Sequence, residues 1–407
     1  MQTSIHESFR ELAEAAEAEA ILSSCVHCGF CNATCPTYQQ LHDERDGPRG
    51  RIYLIKQFLE SGEATENTRV HLDRCLTCRS CETTCPSGVQ YARLADIGRG
   101  ILERKLPRPV TARGIRWLLR NVVAFRRRFA MAFTAARVMK PLLPSFLRRK
   151  IPSRTPPGVW PAVRHDRVMF TPKGCVQSSV SPNTNAAAAR VLDKLGVSLI
   201  DESASGCCGA VSYHLGHHDE GKAFFRKNID AWWPLVESGA EALVLTASGC
   251  GSMVKEYGEI LKSDPEYAEK AAVISGLARD LSEVVLAEDI ERLNVAPDSE
   301  KVAVHCPCTL QHAQKLPDGV DRILARMGFN LARTRDKHLC CGSAGTYSIL
   351  QPQLSRKLLA QKVEALSIDA PDKIVTANVG CQLDLGAAAR VPVRHWVEIV
   401  DDALVDR

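Results

Sequence analysis

Eight cysteines near the start of the chain fall into two copies of one pattern. The first is Cys25-x2-Cys28-x2-Cys31-x3-Cys35-Pro36; the second, Cys75-x2-Cys78-x2-Cys81-x3-Cys85-Pro86, repeats it fifty residues later. A two-residue gap lets a tight turn aim successive sulfurs at neighbouring corners of one small inorganic cube. The three-residue gap, with the proline after it, throws the fourth sulfur outwards towards a partner site. CxxC steps also build tetrahedral zinc sites, but zinc needs four ligands and leaves the repeated x2-x2-x3-Pro run unexplained.

This spacing resembles the two-cluster bacterial ferredoxins, in which three cysteines of one run hold one [4Fe–4S] cube and the fourth crosses to the other. The resemblance implies one cluster on Cys25, Cys28, Cys31 and Cys85, and a second on Cys75, Cys78, Cys81 and Cys35. His27, inside the first run, reads as a residue that tunes or shields the cluster.

Nine further cysteines lie between residues 175 and 381. Cys175, Cys207, Cys208 and Cys250 recur as Cys306, Cys340, Cys341 and Cys381, at offsets of 131, 133 and 131 residues, with Cys308 as a spare thiol. Strand-like segments at 168–171, 197–200 and 242–246, and again at 302–304 and 373–377, alternate with helical stretches near 183–195 and 317–327. Such alternation predicts two repeated α/β units with mostly parallel sheets. The outer cysteines follow the carboxyl ends of strands, where open α/β sheets form ligand crevices. Each set is therefore expected to converge on one site.

The Cys-Cys-Gly signature resembles the cysteine-rich domain of the heterodisulfide reductases and of iron–sulfur subunits of flavin dehydrogenases. In the reductase branch five cysteines are used, the last two as CxxC. Here Ala247 and Met253 flank Cys250, and Asn378 and Asp384 flank Cys381, so each copy has four. A further [4Fe–4S] cluster, a zinc ion and an unliganded thiol group all stay open. His305 and His338 read as hydrogen-bond partners of thiolates, His214, His217 and His218 as a solvated helix start, and His395 as a core residue.

Seventeen cysteines in clustered spacings suit metal ligation in a reducing compartment rather than a secreted disulfide framework. The first ten residues have no apolar signal core, and no run of eighteen apolar residues occurs, so a cytoplasmic chain is expected. The net charge of +5 is uneven: residues 104–154 hold fifteen Lys and Arg and no Asp or Glu. That stretch points to a partner surface or an anionic membrane, not to nucleic acid.

The elements that must hold these residues follow from local pattern. Residues 8–24 are rich in helix formers. Between the cysteine runs, Ile52, Leu54, Ile55, Phe58 and Leu59 follow Pro48 at mostly helical spacing, and 66–74 reads as a second helix. An α+β multidomain chain results: an α-helical ferredoxin domain over 1–103, a basic connector over 104–166, and repeats over 167–297 and 298–407. The connector carries short helices at 114–125 and 129–139, with Arg126-Arg127-Arg128 between them. Pro141, Pro144, Pro152, Pro156, Pro157 and Pro161 then break up the rest.

No G-x-G-x-x-G follows a strand, and neither a P-loop nor a serine nucleophile elbow is present. Chemistry on an organic substrate would need a flavin or nicotinamide on another chain. The runs Cys25-Val-His-Cys-Gly-Phe-Cys31, Asp46-Gly-Pro-Arg-Gly-Arg-Ile-Tyr-Leu-Ile-Lys56, His71-Leu-Asp-Arg-Cys-Leu-Thr-Cys78, Asn228-Ile-Asp-Ala-Trp-Trp233, Thr246-Ala-Ser-Gly-Cys250 and His305-Cys-Pro-Cys-Thr-Leu-Gln-His312 are similar to the iron–sulfur subunits of bacterial glycolate oxidase (glycolate dehydrogenase). The resemblance implies FAD-binding partner subunits that oxidise glycolate, or D-lactate, while this chain carries electrons to a quinone or other membrane acceptor. It also implies attachment to the inner face of the cell membrane, through residues 104–154. A thiol–disulfide oxidoreductase of the heterodisulfide type is the rival expectation.

Overall fold

The computed structural model describes residues 1–142, 148–153 and 155–405. Pro144 and Arg154 of the expected connector lie outside the described residues.

The N-terminal part is helical, as its sequence predicts. The stretch expected as one helix over 8–24 is two, Glu7–Arg10 and Ala13–Ser24, because the backbone turns extended at Leu12. The turn lets Phe9 bury fully and meet the Phe58 ring edge-on at 6.1 Å. Helix Pro48–Ser61 starts with its proline at the first turn, where no amide is needed, and stops at Gly62 in the left-handed region. Thr65 caps helix Glu66–Asp73 by accepting from the Thr68 amide at 3.2 Å. Helix Tyr91–Lys105 closes this core with Leu94, Ile97 and Ile101.

Two helices follow, Val110–Val123 and Arg126–Val138, so the three arginines open the second helix rather than separate the two. Arg108 and Arg116 pair with Asp73 at 2.6 and 3.0 Å, which fixes the connector to the ferredoxin domain.

Two four-stranded sheets make up the rest. The first comprises β1 (Val168–Pro172), β2 (Ser198–Glu202), β3 (Leu243–Leu245) and β4 (Ala278–Asp280) in the order β2-β1-β3-β4. The second comprises β5 (Lys301–His305), β6 (Asn330–Leu331), β7 (Lys373–Thr376) and β8 (Val393–His395) in the order β6-β5-β7-β8. Every pairing within the sheets is parallel. The strands β4, β6 and β8 carry no alternation in sequence, being two or three residues long.

The repeats share one core. Met169, Leu192 and Val244 of the first pack with Val302, Val375 and Trp396 of the second. Helix Trp396–Asp402, which follows β8, lies against helix Thr184–Lys194, which follows β1, and Ser181 and Thr184 donate to the buried Glu398 carboxylate at 3.0 and 2.9 Å. The Ser248 amide donates to the Ala377 carbonyl at 3.0 Å, and His395 Nε2 lies 2.8 Å from the Thr246 carbonyl. Among the described residues no helix is long and apolar enough to cross a membrane.

Candidate metal centres

The two ferredoxin runs repeat in backbone as well as in sequence. His27 and Gly29 are left-handed (φ 59° and 86°), and so are Thr77 and Arg79 (φ 53° and 62°), the same two steps of each run. Alternating handedness turns successive N–H groups towards one point, the concavity that iron–sulfur sites and anions occupy. Arg79 holds this conformation without being glycine, with its guanidinium tied to Glu256. Pro36 does more than stop the first run: it is the first residue of helix Pro36–Leu41.

The fourth cysteines cross. Cys85 lines the same hollow as Cys25, Cys28 and Cys31. Cys35 instead lies among Cys75, Cys78 and Cys81, close enough for their charges to act on one another. Burial, with Cys25 and Cys85 nearby, pushes the Cys31 thiol up to about 11. Burial holds Cys78 and Cys81 well above the ordinary thiol value. Burial alone would raise Cys75 too, but the guanidinium groups of Arg51 and Arg99 pull it below.

Those two arginines distinguish the quartets. Arg51 is 1% exposed; its Nε donates to the His71 carbonyl at 2.8 Å and its Nη2 to Thr37 Oγ1 at 3.1 Å. Asp46, fully buried, sits 3.5 Å from Arg51 and accepts from Arg74 at 2.9 Å. Arg99 donates to the carbonyls of Cys75 and Leu72 at 2.6 and 2.8 Å. The quartet around Cys75 is therefore enclosed by buried positive charge, while the other reaches the surface at the exposed Cys28.

Both sets of later cysteines, Cys306 excepted, line one open cleft together with Cys75 of the ferredoxin domain. In the first set Cys175 and Cys207 lie 3.6 Å apart. Cys208 accepts from Cys207 and Cys250, which holds it well below the ordinary thiol value; Cys207, held by Cys175 and then Cys208, and Cys250, held by Cys208, stand well above it. Asn228 and Tyr257 donate to the Cys207 and Cys208 carbonyls at 2.8 and 3.0 Å and fix the loop.

The glycine of each Cys-Cys-Gly is a geometric need. Gly209 and Gly342 have φ +79° and +81°, and a Cβ would sit 2.5 Å from the Phe225 ring or 2.6 Å from the Ser355 carbonyl oxygen.

The second set differs from the expected one. Cys308, not Cys306, joins it: Cys308 lies 3.8 Å from Cys340, and Cys341 lies 3.3 Å from Cys381. Cys306 points instead into the core shared by the repeats, with Leu310, Ile323 and Trp396, near the carbonyls of Pro307 and Leu316. The strand ends at His305 and Cys308 already has helical backbone (φ −58°, ψ −34°) at the start of the turn Thr309–Ala313, so the two thiols leave the chain in different directions. Contacts among the thiols, with burial behind them, leave Cys308, Cys340 and Cys341 well above the ordinary value. A metal would take them as thiolates and release their protons.

At this pocket one side chain departs from its sequence reading and another is new to it. His305, read there as a hydrogen-bond partner, has no hydrogen-bond partner at either ring nitrogen, and burial keeps the ring neutral. Lys362, buried on helix Pro352–Ser367, donates to the carbonyls of Asp336 and Lys337 at 3.0 and 3.2 Å with the thiols nearby. A single lysine on an amphipathic helix reads as solvated, so no sequence signal singled it out.

His214 and His218 are not a solvated helix start either. His214 Nδ1 lies 3.0 Å from Asp96, and His218, buried, stacks on Tyr213 at 4.4 Å with Nδ1 3.3 Å from Glu14. They dock the ferredoxin domain on the first repeat. On the second repeat the docking face is Cys78 and Leu76, packed with Cys308, Cys340 and Tyr347, whose hydroxyl donates to the Arg74 carbonyl at 3.0 Å.

Comparison with known proteins agrees with this architecture. Residues 21–89 match the 4Fe-4S dicluster domain, and residues 170–255 and 302–386 each match the cysteine-rich domain. The chain is 55% identical over 405 residues to the glycolate oxidase iron–sulfur subunit of Escherichia coli K12, covering 99% of each. It is 28% identical to the probable glycolate oxidase iron–sulfur subunit of Bacillus subtilis 168, over 95% of this chain and 94% of that one. Lactate utilization protein A of Bacillus licheniformis matches at 26% identity, over 56% of this chain and 96% of its own length. A crystal structure of a hypothetical protein from Helicobacter pylori shares the fold (TM-score 0.56, 12% identity, 98% of this chain and 76% of that one).

Proposed function

The chain belongs to the glycolate oxidase iron–sulfur subunit family, and from that membership we propose that it is the electron carrier of a flavin-dependent glycolate dehydrogenase. A partner subunit holding FAD would oxidise glycolate to glyoxylate, and the acceptor beyond this chain would be a quinone or another membrane carrier. When bound, two [4Fe–4S] clusters supply one-electron carriers, which a two-electron donor needs.

One observation carries the reading: the order in which the chain lines up its cysteines. Cys28 is exposed, its quartet opens to the surface beside the exposed Val26 and Phe30, Cys35, Cys75 and Cys81 are buried, Cys78 packs in one cluster with Cys308 and Cys340, and Cys75 lines the cleft with the later cysteines. The buried Arg51 and Arg99 favour the more reduced, more negative state on the inner quartet.

The connector supports contact with an anionic membrane. Helix Val110–Val123 buries Arg116 and Leu119 and leaves Ile115, Trp117 and Leu118 exposed, Trp117 by 57%. The next helix exposes Met131 and Val138, with Met139 and Leu142 just beyond it. Apolar side chains among arginines suit a surface that lies in the headgroup layer on the cytoplasmic side.

Cys28→Ser and Cys78→Ser test the relay in the assembled complex. Flavin reduction by glycolate should persist while quinone reduction is lost; full turnover in either variant would defeat the reading. Assaying D-lactate beside glycolate would show whether the partner's substrate follows the lactate utilization relatives instead.

A further inference from the structure

The two cysteine pockets are repeats in sequence but not in donor chemistry. His305 is the last residue of β5, 1% exposed, and neither ring nitrogen has a hydrogen-bond partner. An unpartnered buried imidazole leaves polar atoms unsatisfied, a cost that a ligand would remove. Here a ring nitrogen and the sulfurs of Cys341 and Cys381 all lie within 4.8 Å of one another. β1 and β5 start at Val168 and Lys301, so the position of His305 in the first repeat is Pro172, which has no donor at all.

We propose that His305 is a metal ligand, which makes the second pocket an imidazole–thiolate centre and leaves the first with thiolates alone. Cys341 and Cys381 would share the ion with His305, and the fourth position would come from the touching pair Cys308 and Cys340. Metal–sulfur bonds of about 2.3 Å put the sulfurs of a tetrahedral site about 3.8 Å apart. The Cys341–Cys381 separation of 3.3 Å lies within about 0.5 Å of that distance.

Charge and orientation support the same assignment. A divalent ion with three thiolates and a neutral imidazole carries one net negative charge, and the buried Lys362 ammonium stands beside the thiols to balance it. Asn378 Nδ2 donates to Cys381 Sγ and the Gly342 amide to Cys340 Sγ, each at 3.4 Å, which orients the sulfurs. The donor set suits zinc, or an iron ion of a cluster. The inference does not rest on the electron donor or acceptor proposed above, and its test reads no activity.

The test is metal content and X-ray absorption on the full chain purified without oxygen, as wild type, His305→Ala and His305→Cys. If the ion is zinc, His305→Ala loses about one zinc per chain with iron unchanged. If it is iron, the zinc content is nil and the nitrogen coupling of a histidine ligand, seen by pulsed EPR in the reduced wild type, disappears. His305→Cys keeps the metal in either case but replaces its nitrogen neighbour with sulfur, which decides the matter should the alanine variant misfold. Metal content and coordination unchanged in both variants would overturn the assignment, as would a second pocket that binds no metal in the wild type.

Discussion

His214 Nδ1 lies 3.0 Å from the Asp96 carboxylate, joining helix Tyr91–Lys105 of the ferredoxin domain to the first repeat. Burial opposes the charge on both, but their mutual attraction wins. His214 ends above its ordinary value and Asp96 at about 2, with Arg99 3.8 Å away also favouring the carboxylate. A raised histidine contributes stability that is full below its unfolded value and fades as pH rises through the folded one. A lowered carboxylate contributes stability above its unfolded value that fades as pH falls towards 2. The docked arrangement should thus be firmest in mildly acid solution and loosen on the alkaline side. Thermal melts from pH 6 to 9 should show that decline in the wild type and a flatter one in His214→Gln. That variant should be less stable by about 1.5–3 kcal/mol at pH 6, the size of a hydrogen bond to a charged group, and the gap should narrow towards pH 9.

Arg51→Met should make the centre at Cys75, Cys78, Cys81 and Cys35 harder to reduce, because a buried cation next to it is gone. The surface centre should keep its potential. Redox titration followed by EPR separates the two, and equal shifts in both would contradict the placement of Arg51. Stability should fall as well, by about 3–5 kcal/mol, since Asp46 loses a buried partner.

Cys306→Ala and Cys308→Ala should part company. The first removes a buried sulfur from the shared core and should cost about 1–2 kcal/mol in urea unfolding, with metal content unchanged. The second should deplete the metal of the second pocket.

Gly209→Ala and Gly342→Ala force a side chain into left-handed backbone, at about 1–3 kcal/mol each. Gly342→Ala should be the worse, because its Cβ would meet a carbonyl oxygen fixed in a helix, whereas the Phe225 ring at Gly209 can shift. Chemical denaturation of the two variants side by side checks the order.

Trp117→Ala combined with Leu118→Ala should weaken binding to vesicles containing anionic lipid by about tenfold or more, from lost apolar burial. High salt should weaken the wild type too. Equal binding by wild type and variant would remove the membrane role of this helix.

The ferredoxin runs and the repeat were legible because ligand spacing is local and a duplication shows as an offset. The exchange of Cys306 for Cys308 was legible too, in a signal passed over. The offset of 133 between Cys207 and Cys340 also relates Val168 to Lys301, at the starts of β1 and β5, and Cys175 to Cys308. What spacing could not reveal depends on contacts between distant segments. Nothing local marks His214 and His218 as docking residues, or Lys362 as a buried cation, because their partners lie in other elements. The strands β4, β6 and β8 are too short for alternation to appear, and they exist because a neighbouring strand supplies the pairing.

The first cysteine pocket depends on the tail of the chain. Thr246, just upstream of Cys250, is held by His395, and helix Thr184–Lys194 finds its partner in Trp396–Asp402. A ribosome that has finished the first repeat has therefore not yet made the residues that secure it. The first pocket can settle only after the second repeat has been made, and a truncation before His395 would take away the bond to Thr246 and the helix partner together.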